Sequence, residues 1–157
     1  MPHTEIQTDD LDEFNWETIT TTYRDDEITV ERVETVFDNG VYRDETFYAD
    51  GTARFWREWD VNNVHDWIDV FVEYDDDGNK QSRVVEYDSG VVKTELWDTD
   101  GDRIVIAEQD LSADGSAESW IDVFVEYDDD GNKQSRVVEY DSGVVKTELW
   151  DTDGDRV

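Results

Sequence analysis

Cysteine is absent from the 157 residues, so neither a disulfide nor a thiolate metal site can form. The single proline, Pro2, lies outside every stretch with strand character, as a chain built from sheet requires. No apolar run approaches the ~18 residues that a membrane-spanning helix needs, and no membrane span is expected. The opening Met1-Pro2-His3-Thr4-Glu5 is polar and lacks the basic-then-apolar order of a secretory leader. Positive charge is scarce: 13 Lys and Arg face 44 Asp and Glu, leaving a net charge of −31. A field of that sign repels phosphates, so nucleic acid is not an expected partner. There are two histidines and no Gly-x-Ser-x-Gly motif, so nothing points to nucleophilic catalysis. The chain reads as non-catalytic.

What is present argues for a folded chain in spite of the charge. High net charge with low hydrophobicity is the composition of disorder, because too little apolar surface is buried to offset ordering entropy. Yet 13% of residues are aromatic, seven of them Trp. They fall in alternating runs with Val, Ile and Thr, the pattern of strands. Carboxylate repulsion should hold stability down, and salt or a bound divalent cation should raise it.

Repetition is the strongest signal. Residues 67–103 recur without change at 120–156, a shift of 53. A diverged copy precedes them: Trp16 stands where Trp67 and Trp120 do, Tyr23 matches Tyr74, and Phe37-Asp38-Asn39-Gly40 matches Tyr87-Asp88-Ser89-Gly90. All nine glycines follow Asp, Asn or Ser, among them Asp114-Gly115. Such pairs tolerate positive φ and suit tight hairpin turns. Between them the spacing predicts strands at Trp67–Tyr74, Lys80–Tyr87, Val91–Trp97 and 103–108, with another at His3–Thr8. Short turns make consecutive strands antiparallel neighbours.

The expected fold is therefore all-β: an antiparallel β-meander repeat array of three units, 1–50, 51–101 and 102–157, each of about four strands, forming a curled or folded-over sheet. Propeller-like blades are the alternative, since a unit of about 50 residues and four strands matches a blade. One face of each strand reads as core and the other as acidic with isolated aromatics: Ile68, Val70, Val72 and Tyr74 oppose Trp67, Asp69, Phe71 and Glu73. In the strand at 91–97, Val92, Thr94 and Leu96 oppose Val91, Lys93, Glu95 and Trp97.

Candidate chemistry lies in the acidic turns. Asp75, Asp77, Asp98, Asp100 and Asp102, with Asp128, Asp130, Asp151, Asp153 and Asp155, alternate at i, i+2 and i+4. That spacing can converge oxygen ligands on calcium, which takes 6–8 of them. The same residues also suit plain hairpin turns with solvated carboxylates. No stretch has the position-six Gly and position-twelve Glu of an EF-hand loop, nor the glycine-rich nonapeptide of a calcium-binding β-roll. Trp16, Trp67 and Trp120, with Trp97 and Trp150, recur in register. They suit cross-strand packing, or a ladder that stacks on a glycan. The dense acidic surface would equally suit a basic protein partner, as a DNA mimic, and sheet edges or further repeats would allow self-association. Four Lys against nine Arg in so acidic a chain also fit the cytoplasm of a salt-adapted organism.

The segments Tyr74-Asp75-Asp76-Asp77-Gly78-Asn79 and Tyr87-Asp88-Ser89-Gly90 resemble the Tyr-Asp-x-x-Gly hairpins of YD-repeat (Rhs-type) proteins. With its Asp66-Trp67 opening, the whole unit of about 50 residues resembles still more the hairpin repeats of RTX-type secreted bacterial proteins. That resemblance implies export without an N-terminal signal peptide, an extracellular or cell-surface location, a structural or adhesive role, and calcium.

Overall fold

The computed structural model describes residues 1–112 and 117–157. The expected Asp114-Gly115 turn lies outside them. Twelve strands follow in order: β1 (His3–Thr8), β2 (Trp16–Tyr23), β3 (Val30–Phe37), β4 (Val41–Phe47), β5 (Ala53–Asp60), β6 (Trp67–Tyr74), β7 (Lys80–Tyr87), β8 (Val91–Trp97), β9 (Arg103–Asp110), β10 (Trp120–Tyr127), β11 (Lys133–Tyr140) and β12 (Val145–Leu149). No helix occurs among the described residues. The strands fall into two compact units, residues 1–79 with β1–β6 and residues 80–157 with β7–β12. In each unit every strand pairs antiparallel with its neighbours in sequence. Six strands joined without a break form a meander rather than separate four-stranded blades.

The turns explain the pairing. In 87–90 the Gly90 N–H donates to the Tyr87 carbonyl at 2.8 Å, and Gly90 sits at φ +89°. A three-residue loop ending on a left-handed glycine returns the chain in register with the twist of its strands. Gly40 and Gly143 repeat the bond at 2.8 Å. On the far ends of the hairpins, five-residue turns such as 98–102 close through Asp98 N–H to the Asp102 carbonyl at 2.9 Å. A register shift follows beside them, as between Leu96 and Trp97.

Register decides what is buried. In the second unit the cross-strand row Val85, Lys93, Glu108, Val123, Val138 and Lys146 lies on one face. Two residues along, Arg83, Glu95, Ile106, Val125, Arg136 and Glu148 form the next row of that face. Val85, Val123, Val125 and Val138 are buried there, and Ile106, Trp120, Tyr127 and Tyr140 pack around the last three. In the first unit Val41, Val70 and Val72 are the buried apolar residues. The expected faces of β6 hold in part, with Val70 and Val72 inside but Ile68 exposed.

In β8 the buried side is the mixed one. Val91 and Glu95 are buried, while Val92, Thr94 and Leu96 on the opposite face are only half-buried. The reason is charge pairing. Glu95, 6% exposed, meets Arg83 at 3.1 Å, Arg103 at 3.4 Å and Lys93 at 3.9 Å. A carboxylate so surrounded can lie beside valine without stranding its charge. The long Arg and Lys stems add apolar cover of their own.

Candidate functional site

Antiparallel parity sorts the connections. Within each unit the turns after even-numbered strands lie at one end of the strands, and the Asp-rich corners singled out by spacing are all among them, although the 9–15 connection after β1 is acidic too. In the first unit those turns are 24–29, 48–52 and 75–79; in the second, 98–102, 128–132 and 151–155. Successive members are two strands apart, roughly 10 Å at ~4.8 Å per strand. Each unit therefore carries a row of acidic corners along one end, and all ten Asp residues singled out by spacing lie on these rows.

Within a corner the first Asp acts on its own backbone. Asp75 Oδ1 accepts from the N–H of Asp77 at 3.0 Å and of Asn79 at 2.7 Å, and Oδ2 accepts from Asn79 Nδ2 at 3.2 Å. Asp128 repeats this with Asp130 at 3.1 Å, Asn132 at 2.7 Å and Asn132 Nδ2 at 3.3 Å. Asp98 Oδ1 takes Asp100 N–H at 3.0 Å and Asp102 N–H at 2.9 Å; Asp151 takes Asp153 at 3.1 Å and Asp155 at 2.9 Å. These are Asx turns, in which the carboxylate replaces a missing backbone acceptor. The Asn79 donor bonds hold the Asp75 carboxyl below its ordinary value. The third-position residues Asp77, Asp100, Asp130 and Asp153 are exposed; at position five, Asp102 is half-buried and Asp155 exposed.

The diverged corners solve the same problem differently. In 48–52 a tyrosine stands first, and Tyr48 Oη donates to the Tyr74 carbonyl at 3.2 Å while Asp50 Oδ1 accepts from Thr52 N–H at 2.9 Å. In 24–29 Asp26 accepts from the Thr29 hydroxyl and from the N–H groups of Ile28 at 3.0 Å and Thr29 at 2.8 Å. That hydroxyl first, then the two backbone donors, lower its pKa to about 2.

As a calcium site, a single corner is incomplete. Its first carboxylate already faces backbone donors, and among the described residues no three His, Cys, Asp or Glu side chains gather as a metal group would. What a corner offers a cation is charge and outward-facing oxygens.

The tryptophans divide by position. Trp97 carries Lys80 Nζ 4.8 Å from its ring centroid and the Arg103 guanidinium at 5.8 Å, and its copy Trp150 carries Lys133 at 4.5 Å. Trp16 stacks on Phe14 at 5.4 Å, and Trp67 stacks on His65 at 4.9 Å. Trp120 packs against the valine core. All five are half-buried.

Spacing did not single out the arginine ladder. Arg32 grips Asp44 through Nε at 2.7 Å and Nη2 at 3.0 Å, Arg57 grips Asp69, and Arg83 meets Glu95. Arg136 reaches Glu148 at 3.4 Å, where Lys146 and Arg156 also converge at 3.1 and 2.9 Å. The signal was an Arg followed 12 residues later by Asp or Glu, which a hairpin brings side by side. Two loop carboxylates also escaped notice. Burial raises the pKa of Asp60, and the N–H groups of His65, Val64 and Asn63 overcome it, for a net lowering. Asp110 is lowered by the Ser112 hydroxyl and by the Glu118 and Ser112 N–H groups.

No protein-family model matches the chain, and no curated protein matches it either.

Proposed function

We propose that this chain is a non-catalytic structural repeat segment of a secreted or surface-exposed bacterial protein, adhesin- or RTX-like. The observation that carries this reading is how its polar chemistry is used. Arginines pair with carboxylates across hairpins, the first Asp of each repeated corner binds its own turn, and aromatic rings hold cations or stack on neighbours. Functional groups at every repeat serve the pleat that repeats. Pairing between sequence neighbours lets such an array grow or shrink by whole periods.

Removing one period is the test. Deleting residues 67–119 joins Asp66 to Trp120 and leaves a sequence that runs as residues 1–103 do, followed by Val157. A structural array keeps its β-sheet circular-dichroism signature and a cooperative melt at lower stability. Collapse to random coil in high salt would overturn the reading.

Calcium enters as a counter-ion that neutralises the rows of corners with weak, millimolar-range affinity. The midpoint of thermal unfolding should rise more in millimolar calcium chloride than in sodium chloride of matched ionic strength. Equal rises would leave only screening.

The single-sign rows also favour a second reading, an interaction module for a basic protein. Capture of such a protein that survives physiological salt, and is lost when the outward Asp100 and Asp153 become Asn, would favour it over the first.

A further inference from the structure

The acidic-corner end of each unit holds a cleft, and the two clefts occupy corresponding positions of the repeat. In the second unit the cleft opens over the cross-strand row Glu126, Ser135 and Leu149, beside Asp128 at the head of its corner. In the first unit it opens over Thr22, Arg32 and Thr46, beside Arg24. That cleft encloses about 280 Å³, and Glu31, Phe47 and Arg54 complete its lining.

The diverged copy differs from the repeat in one chemical direction. Thr22 stands where the repeat has Glu126, which removes a carboxylate. Arg32 stands at the place of Ser135 and Thr46 at that of Leu149, adding a guanidinium and a hydroxyl. Arg24 takes the place of the corner's first acid, Asp128. Arg54 is the unpaired residue of the bulge between Thr46 and Phe47, where the same bulge in β9 carries Ile104. A bulge re-aims the side chain it inserts. Three of nine arginines, in a chain of net charge −31, thus line one cleft, with Glu31 the single acid in that lining.

The fold uses these donors only in part. Arg24 is anchored by Nη2, which donates to the Phe47 carbonyl at 2.5 Å, while Nη1 lies 3.7 Å from Glu31. Its Nε is buried and has no hydrogen-bond partner among the described residues, and the same holds for the Thr46 hydroxyl. Arg32 gives Nε and Nη2 to Asp44, which leaves Nη1. Arg54 is exposed and, among the described residues, makes no hydrogen bond, ion pair or ring contact. A buried donor without an acceptor costs free energy, so two of them in one wall mark a place short of acceptor oxygens.

We propose that the cleft of the first unit binds a phosphate or sulfate group, free or carried on a fragment of about sugar size. The Arg24 and Arg54 guanidinium groups supply the charge, Arg32 Nη1 a further donor, and Thr46 a hydroxyl at the floor. Planar guanidinium forks match the oxygens of such an anion two at a time. The volume falls just below the ~300 Å³ at which small-molecule sites begin, so the ligand is small. Carboxylates elsewhere on the chain repel an anion at long range, which keeps the affinity weak and makes moderate salt a condition of binding. The site lies within the first unit and is independent of the role of the array.

The test titrates the full ¹⁵N-labelled chain with sodium phosphate or sodium sulfate, near neutral pH in about 0.1 M NaCl, which screens the distant carboxylates. The arginine Nε–H signals report binding. Saturating shifts at Arg24 and Arg54 are expected, and added NaCl of matched ionic strength should not reproduce them. Arg54→Gln removes a side chain that the fold does not use, so it should weaken binding about fivefold or more with an unchanged melting temperature. Lys133→Gln removes the same charge from the second unit and should leave binding as it is. Glu31→Gln removes the competing acid and should tighten it. A monosaccharide phosphate that binds more tightly than inorganic phosphate makes the ester the ligand, and equal binding makes it the free ion. Shifts that fail to saturate, that NaCl reproduces, or that Arg54→Gln and Lys133→Gln weaken alike would overturn the assignment.

Discussion

The paired copies allow a stability experiment in which sequence context cancels. Val91→Ala and Val144→Ala remove the same two methyl groups from the same local sequence, so their effects on the unfolded chain are nearly alike. In the folded chain Val91 is 8% exposed and Val144 57%. Burying two methyl-sized groups contributes roughly 1.6 kcal/mol at ~0.8 kcal/mol each, with a cavity cost added where the site cannot collapse. Val91→Ala should therefore cost about 2 kcal/mol. At Val144 less than half of that burial exists and no cavity forms, so about 0.5 kcal/mol is expected. The assay is urea unfolding in constant salt, comparing midpoints of variants whose denaturant slopes agree. Equal losses, or a larger loss at Val144, would refute the claim that β9 rather than local sequence buries β8.

Glycine substitutions separate backbone strain from crowding. Gly101, at φ +91°, has open space where a Cβ would go, so Gly101→Ala should cost only the left-handed penalty of about 1–2 kcal/mol. A Cβ on Gly90 would lie 2.6 Å from the Ser112 Cα, so Gly90→Ala should cost measurably more in the same melt. Arg83→Met leaves Glu95 short of a partner and should destabilise by about 1–3 kcal/mol. Adding Glu95→Met should recover part of that loss in a double-mutant cycle, because the buried charge then goes too. For Asp26, a pKa lowered from 3.8 to about 2 means its bonds stabilise the fold above pH 4 and are lost as pH falls toward 2. The stability gap between wild type and Asp26→Asn should shrink across that window, and a titration of the Asp26 carboxyl by NMR should centre near 2.

The strand plan was legible because its determinants are local. Asp-Gly, Asn-Gly and Ser-Gly corners fix where the chain turns, so Trp67–Tyr74, Lys80–Tyr87 and Val91–Trp97 stand where alternation and turns placed them. The last strand of the central set runs to Asp110, two residues past the expected 108, because Asp110 pairs with Val91 before its carboxylate takes up the next loop. The buried face of β8 was not legible. Val91 and Val92 are interchangeable to a hydropathy pattern, and only a neighbouring strand decides which is covered. Glu95 reads as a surface residue until register sets Arg83 directly opposite it. The acidic corners were legible as turns, but the task of their first carboxylate, closing its own loop, depends on bond geometry that spacing does not contain.

The net charge of −31 and the even row of corners together fix how the fold should respond to salt. Corners roughly 10 Å apart along each row lie about one screening length from one another at 0.1 M salt. At that ionic strength each corner is felt mainly by its own turn, where backbone N–H groups compensate the first carboxylate. At 0.01 M the screening length grows to about 30 Å, and every corner of a row repels every other. The arginine ladder offsets this differently. Its pairs lie within hairpins at contact distance, and half-buried groups are screened less, so their attraction survives added salt better than the repulsion does. Salt should accordingly stabilise the chain steeply between 0.01 and about 0.1 M and only gently beyond, as followed by thermal melting. A midpoint that kept climbing at the same slope into molar salt would mean that hydration of the whole surface, rather than repulsion along these rows, sets the limit on stability.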